Sequence, residues 1–360
     1  MAVSKIAYDP VGYVSYKDYM FMASKIGNKL QNMIRYERFE QAAMADNADM
    51  AARIIAEAGW PNMVGMSIEE IDRTLIERRN MIYDEIESVC PEYEVIAILR
   101  LKFDYHNIKA LVKSGGAHTN ADTMLSSTGR YSRHEIREAY LSGDYSALTN
   151  TMAETIREAK DLMAKTQNPH AVDTYVDRMY FKEMFELAEK IEPDIEPVTP
   201  MMAAVADMPF PEFLVRTYID CANLHICVRC ARMNRSAEYL RGELFEGGTL
   251  GIKSLVDATF TGEGLATLYR HTPYKEAAEL GQEVMKTSLG TPADKFERSL
   301  RESRMRYLAN MRQQFFGART VVWYLTVIDE NITNTRVVLT GLKSGIKGEK
   351  LKERLRKTYV

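Results

Sequence analysis

Apolar side chains recur along this chain at three- and four-residue intervals with charges between them, the pattern of helices that bury one face. The stretches 68–90 (IEEIDRTLIERRNMIYDEIESVC), 173–192 and 294–316 carry it most clearly. Two-residue alternation is almost absent, so the expected fold class is all-α. Ser67 before Ile68-Glu69-Glu70, Ser132 before Arg133-His134-Glu135 and Thr291 before Pro292 predict helix N-caps, each offering a hydroxyl to the unpaired N–H groups of a first turn. The apolar run Val321 to Ile328 has helical sequence on both sides and predicts a buried helix rather than a strand. Breaks are expected at Gly59-Trp60-Pro61 and over 193–211, where five prolines interrupt the chain. Residues 114–130 (SGGAHTNADTMLSSTGR) are small and polar and predict an exposed, mobile loop.

Within the helical pattern one motif repeats. Residues 96–113 and 213–230 both contain Arg-x3-Asp-x2-Asn, followed by an aliphatic residue and then a basic one. The first copy is Arg100, Asp104, Asn107, Ile108 and Lys109; the second is Arg216, Asp220, Asn223, Leu224 and His225. A looser third copy has Val327 in place of the arginine, Asn331 and Asn334 in the Asp and Asn positions, and Arg336 in the basic one. The asparagines are 116 residues apart (107 to 223) and then 111 (223 to 334). Downstream, Ile136 to Tyr140 with Gly143-Asp144 matches Leu255 to Thr259 with Gly262-Glu263. A period this long predicts three related helical units, drawn at 1–116, 117–235 and 236–360, the last ending in a basic helix.

At about 100° per residue, offsets of zero, four and seven put the Arg, Asp and Asn on one narrow stripe of an otherwise apolar helix. A polar stripe on a buried helix needs partners, because an unpaired buried charge is costly. One reading is an i,i+4 ion pair plus an asparagine fastening the helix to its neighbours within its unit. The other is a polar wall facing an internal cavity or a partner. Neither is catalytic, since threefold recurrence suits scaffold rather than a single active site.

Composition narrows the picture. A formal net charge of −3 leaves no general excess of positive charge for holding a polyanion, so nucleic acid is not an expected partner. Only 20 glycines and 11 prolines in 360 residues favour long helices. The opening MAVSKIAYDPVGY lacks a signal-peptide core, and Val321 to Ile328 is too short to span a bilayer, so a cytoplasmic protein is expected. Four cysteines, three of them between Cys221 and Cys230, form no disulfide framework.

The sharpest chemical motif is Cys221, His225, Cys227 and Cys230. On one helix Cys221 and His225 lie roughly opposite Cys227 and Cys230, so four ligands cannot converge on one ion, and buried structural cysteines are expected. A mid-helix Cys-x-x-Cys also lacks the helix N-terminus that activates a redox thiol. The phosphate-loop pattern is absent from 341–348, His134-Glu135 has no second histidine, and Gly262-x-Gly264 has no third glycine. No catalytic residue, metal site or cofactor is therefore expected, and the 21 methionines read as core fillers.

Several segments are specific enough to carry a resemblance: Asp104-Tyr105-His106-Asn107-Ile108-Lys109-Ala110-Leu111, Phe316-Gly317 ahead of Tyr324-Leu325, Asn334-Thr335-Arg336-Val337-Val338-Leu339-Thr340-Gly341, and the final Leu351 to Val360. With Tyr19 to Leu30 as an opening helix, the chain resembles, over nearly its whole length, the C-type subunit family of V-type/A-type ATP synthases, whose member in the eukaryotic vacuolar enzyme is the d subunit. The resemblance implies three similar helical domains in a funnel around a pseudo-threefold axis. It implies a rotor spacer on the cytoplasmic face of the membrane, a monomer within its complex, meeting the shaft subunits of the central stalk and the proteolipid ring. Ile328, Asp329, Glu330 and Asn331 depart from the family's usual Lys-Glu-x-Glu-like pattern.

A basic interaction surface is expected at Lys347, Lys350, Lys352, Arg354, Arg356 and Lys357, suited to an acidic face of the shaft or ring or to an anionic membrane surface. The same residues also suit a solvated helix end, where positive charge favours the C-terminal dipole. A free-standing helical adaptor is the alternative function. A metal-dependent enzyme, motivated by the cysteine–histidine cluster alone, is a third.

Overall fold

The computed structural model describes residues 16–30, 33–115, 124–191, 209–260, 264–286, 293–311 and 317–358. Among these residues there are sixteen helices and no strand. The expected caps at Ser67 and Ser132 form, each as a reciprocal box in which the serine hydroxyl accepts from the backbone of Glu70 or Glu135 and that glutamate accepts from the serine N–H. The Thr291 cap and residues 192–208 of the proline-rich connection lie outside the described residues.

Three long helices organise the packing. The first, α5 (Tyr93–Ser114), runs against α6 (Arg133–Ser142), α7 (Asn150–Thr166) and α8 (Pro169–Ala188), all of which follow it in the chain. The second, α9 (Phe210–Arg232), packs on α8, on α10 (Ala237–Glu243) and α11 (Ile252–Phe260), and on α13 (Lys275–Lys286). Short α12 (Gly264–Leu268) joins α11 to α13, and α13 packs on α14 (Ala293–Met311).

The third, α15 (Ala318–Lys343), is buried along most of its length, with Val321 to Ile328 in its interior as the apolar run predicts. Its neighbours come from both ends of the chain. After it comes the single turn α16 (Glu349–Lys352); from the N-terminal side come α1 (Tyr16–Lys29), α2 (Tyr36–Ala43), α3 (Ala48–Glu57) and α4 (Ile68–Glu87). Phe39, Ile55, Leu75 and Val327 are fully shielded from solvent there. Each such side chain stabilises by about 1.5–3 kcal/mol, so the contact between distant ends of the chain is substantial.

The basic helix expected at the C-terminus is confined to Glu349–Lys352, and residues 353–358 are not helical. Gly341 permits this docking, since a Cβ there would lie 2.5 Å from the Leu351 side chain. Among the described residues no helix is long and apolar enough to cross a membrane.

Candidate functional site

Each long helix carries its asparagine toward a stretch of irregular backbone, and the three contacts have the same form. The Asn107 side chain donates to the Ser126 carbonyl at 2.9 Å and accepts the Ser126 N–H at 2.7 Å. Asn223 does the same to Phe245 at 2.8 and 2.9 Å, and Asn334 to Arg356 at 2.8 Å in both directions. All three asparagines are 0% exposed. A carboxamide presents one acceptor and one donor side by side, which matches the N–H and C=O of one non-helical residue and satisfies both.

The other stripe positions serve the same loops. Asp104 accepts from the backbone N–H of Arg130 at 3.0 Å and from its Nε at 2.7 Å. Asp220 accepts from the backbone N–H groups of Thr249 and Leu250 and from the Thr249 hydroxyl. Arg100 donates to the Thr128 carbonyl, and Arg216 to the carbonyls of Gly247 and Gly248.

The expected i,i+4 pairing of Arg with Asp does not form. Arg100 pairs with Asp84 and Glu87 of α4, Arg216 with Glu212 one turn earlier, and Asp104 with Arg130, whose guanidinium also meets buried Glu183 at 2.9 Å. Loop backbone that must be satisfied on burial outcompetes the ion pair within the helix. Of the loop expected at 114–130, residues 116–123 lie outside the described residues, and within 124–130 Leu125 and Thr128 are buried rather than exposed.

The basic position of each copy reaches an acidic residue on a neighbouring helix. Lys109 pairs with Asp177 of α8 at 2.6 Å, His225 with Glu297 of α14 at 2.6 Å, and Arg336 with Asp72 of α4. In the third copy Val327 is buried among apolar neighbours, while Asn331 finds no partner for its amide among the described residues.

Two glycines complete the device and were not singled out from sequence. A Cβ on Gly129 would lie 2.1 Å from Asp104 Oδ1, and one on Gly248 would lie 2.3 Å from Asp220 Oδ1. Each stands three residues after the loop residue that the asparagine holds. The readable signal is a Gly followed by Arg-Tyr or Thr-Leu at a similar distance past the motif helix.

A second feature lies away from the stripe. A cavity of about 190 Å³ is lined by Lys102 and Phe103 of α5, Tyr218 of α9, and Asp329 and Glu330 of α15, with Arg79 and Arg304 contributing. All three motif helices meet here, using faces other than those that hold the loops. Asp329 accepts from Arg79 at 2.9 Å, from Tyr83 at 3.0 Å and from Lys102. Burial pushes its carboxyl up, but Lys102 and Arg79 outweigh that and hold it below the usual carboxylate range. Buried Glu330 pairs with Arg356 at 3.0 Å and lies 3.8 Å from Arg304, whose guanidinium sits over the Tyr218 ring. Two of the four residues of the family departure, Asp329 and Glu330, thus stand on the wall of this cavity. The stripe residues do not line it.

The basic C-terminal residues divide. Lys347 donates to the Asp46 carbonyl and Lys352 pairs with Glu40, so both tie α16 and its surroundings to the N-terminal helices. Lys350, Arg354, Arg356 and Lys357 instead line a separate pocket with residues of α14.

The four cysteines are free, and burial pushes the Cys227 thiol up to about 12. With His225 engaged by Glu297, the residues of the cysteine–histidine cluster serve packing and a side-chain contact between helices. Among the described residues no group of three His, Cys, Asp or Glu side chains gathers as a metal site.

Long buried helices carrying a recurring Arg-Asp-Asn device define an all-helical class of protein. The profile of the ATP synthase (C/AC39) subunit family matches residues 24–354, and the chain belongs to that family. It is similar to the C subunit of the V-type sodium ATPase of Enterococcus hirae, 22% identical over 340 residues, which covers 92% of this chain and 96% of that protein. It is also similar to the C subunit of the V-type ATP synthase of Thermus thermophilus, 17% identical over 182 residues, 49% of this chain and 56% of that protein.

Replacing Asn223 by Ala leaves the Phe245 N–H and C=O buried without partners. The variant is expected to lose about 3 kcal/mol of unfolding free energy in urea; a loss below about 0.5 kcal/mol would contradict the fastening role. Asp220 yields a pH prediction. Burial pushes its carboxyl up to about 6, against the pull of the Thr249 and Leu250 hydrogen bonds, whereas an open chain ionises near pH 4. The folded state therefore holds the extra proton between these values, so this contribution to stability is complete below about pH 4 and is lost as pH rises through 6. Asp220→Asn is expected to make unfolding free energy decline less steeply from pH 4 to 7 than in the parent protein; an identical slope would contradict the assignment.

Proposed function

We propose that this chain is the non-catalytic central-stalk spacer of a V/A-type rotary ATPase, joining the shaft subunits to the membrane proteolipid ring. The observation that carries the reading is the convergence of three motif helices on one polar, partly basic cavity, in a chain of this family. Three similar units, each centred on one of the asparagine helices, would form a funnel about a pseudo-threefold axis, with the cavity near that axis. Aromatic and cationic groups such as Tyr218, Phe103, Lys102 and Arg304 suit an acidic or amphipathic end of a shaft subunit. The work of the chain is then mechanical: it receives torque and passes it on as one monomer in the complex, at the cytoplasmic face and peripheral to the membrane.

Stiffness follows from the packing. Close-packed helical interiors deform little, and fastened loops remove the slack that connections normally bring. A spacer of this kind holds no cofactor and performs no bond chemistry.

Deleting the gene is expected to leave ATP hydrolysis by the detached soluble sector and to abolish ATP-driven ion pumping into membrane vesicles, with recovery on adding back the purified chain. Pumping at parental rate in the deletion strain would sink the proposal.

A further inference from the structure

Beside the cavity between the motif helices lies a second pocket of about 320 Å³, between α14, α16 and the segment 353–357. It shares Glu330 and Arg356 with the cavity. Its walls bring six cationic side chains, Arg298, Arg301, Lys350, Arg354, Arg356 and Lys357, against three carboxylates, Glu302, Glu330 and Glu353, a net of three positive charges.

Most of this charge is not neutralised by neighbours. Lys350, Arg354 and Lys357 make no ion pair among the described residues, and the nearest carboxylate of Arg301 is Glu297 at a distant 3.9 Å. The Arg301 Nε is buried without a hydrogen-bond partner. Burial and the facing Arg356 charge lower the pKa of Arg301, which marks a site short of negative charge.

The pocket is also built in advance. Asn334 holds the Arg356 backbone by both N–H and C=O, Leu351 and Leu355 are buried beneath the segment, and Arg298 donates to the Glu353 carbonyl. Cations held on a fixed frame bind an anion without first being ordered.

From this geometry we infer that the pocket binds a phosphate-bearing polyanion of about diphosphate size. A single carboxylate would leave most of the positive charge unmatched. Two linked phosphates bring roughly three negative charges and several acceptor oxygens in a group small enough for the space. Guanidinium groups such as those of Arg298 and Arg301 suit them through paired N–H donors. The phosphates can belong to a free soluble ligand or to a lipid headgroup, and the same residues would hold either. This inference stands on the pocket alone and does not depend on the rotor assignment.

The full-length chain is titrated with sodium pyrophosphate by calorimetry at low ionic strength, beside Arg301→Gln, Arg298→Gln and Lys347→Gln, the last being outside the pocket. Pyrophosphate is expected to bind one site, weakening at least ~10-fold in each pocket variant and by less than ~2-fold in Lys347→Gln. Thermal unfolding and circular dichroism verify that each variant is folded. A parallel flotation assay with vesicles containing phosphatidylglycerol separates the sources. Flotation that Arg301→Gln abolishes and pyrophosphate competes away assigns the site to lipid headgroups; binding of pyrophosphate without flotation assigns it to a free phosphate ligand. Neither binding, or equal weakening in Lys347→Gln and the folded pocket variants, overturns the inference.

Discussion

A buried carboxamide that satisfies both polar groups of one loop residue is the constraint on which the architecture rests. Helices bury their own backbone groups in their ladders, but the connections between them cannot, and a connection pressed against a core must find partners or stay in water. Asn107, Asn223 and Asn334 each supply both partners from one side chain. A serine lacks the paired geometry and an aspartate lacks the donor. With the loop fixed in place, the next residues fall within reach of the Asp and Arg on the same stripe, and a glycine becomes necessary where the carboxylate approaches the backbone.

That device divides each motif helix by face. In α5 the stripe through Arg100, Asp104 and Asn107 is consumed in holding irregular backbone, while Lys102 and Phe103 line the cavity where the motif helices meet. The third copy shows how far the pattern can drift. Val327 packs as an apolar residue and the Asp position is amidated at Asn331, yet the Asn334 contact keeps the same two hydrogen bonds as its counterparts. What survives is the neutral clamp; the charged positions vary with what the surrounding helices offer.

Much of this was legible in the sequence. Helical periodicity, the Ser67 and Ser132 caps and the buried run Val321 to Ile328 follow from local rules that packing did not override, whereas the i,i+4 ion pair read into the stripe gave way to loop backbone. The partners of the stripe were not legible, because the residues held, Ser126, Phe245 and Arg356, share no side-chain type although they lie 19 to 22 residues past their asparagines. Composition pointed the wrong way for residues 124–130, whose small polar character serves close approach to Asp104 rather than solvation. Repeat spacing gives a period but not a phase: α5 packs forward onto α6 to α8, and α15 packs back onto α2 to α4. The cavity between the motif helices was not legible because Lys102, Tyr218 and Asp329 are ordinary surface-type residues until three helices bring them together.

Amide hydrogen exchange, read residue by residue in the full chain, tests the clamp most directly. The N–H groups of Ser126, Phe245 and Arg356 lie in irregular segments, yet the account predicts that they exchange only through global unfolding, as slowly as the interior amides of α5, α9 and α15. Exchange at the rate of open loops would contradict it.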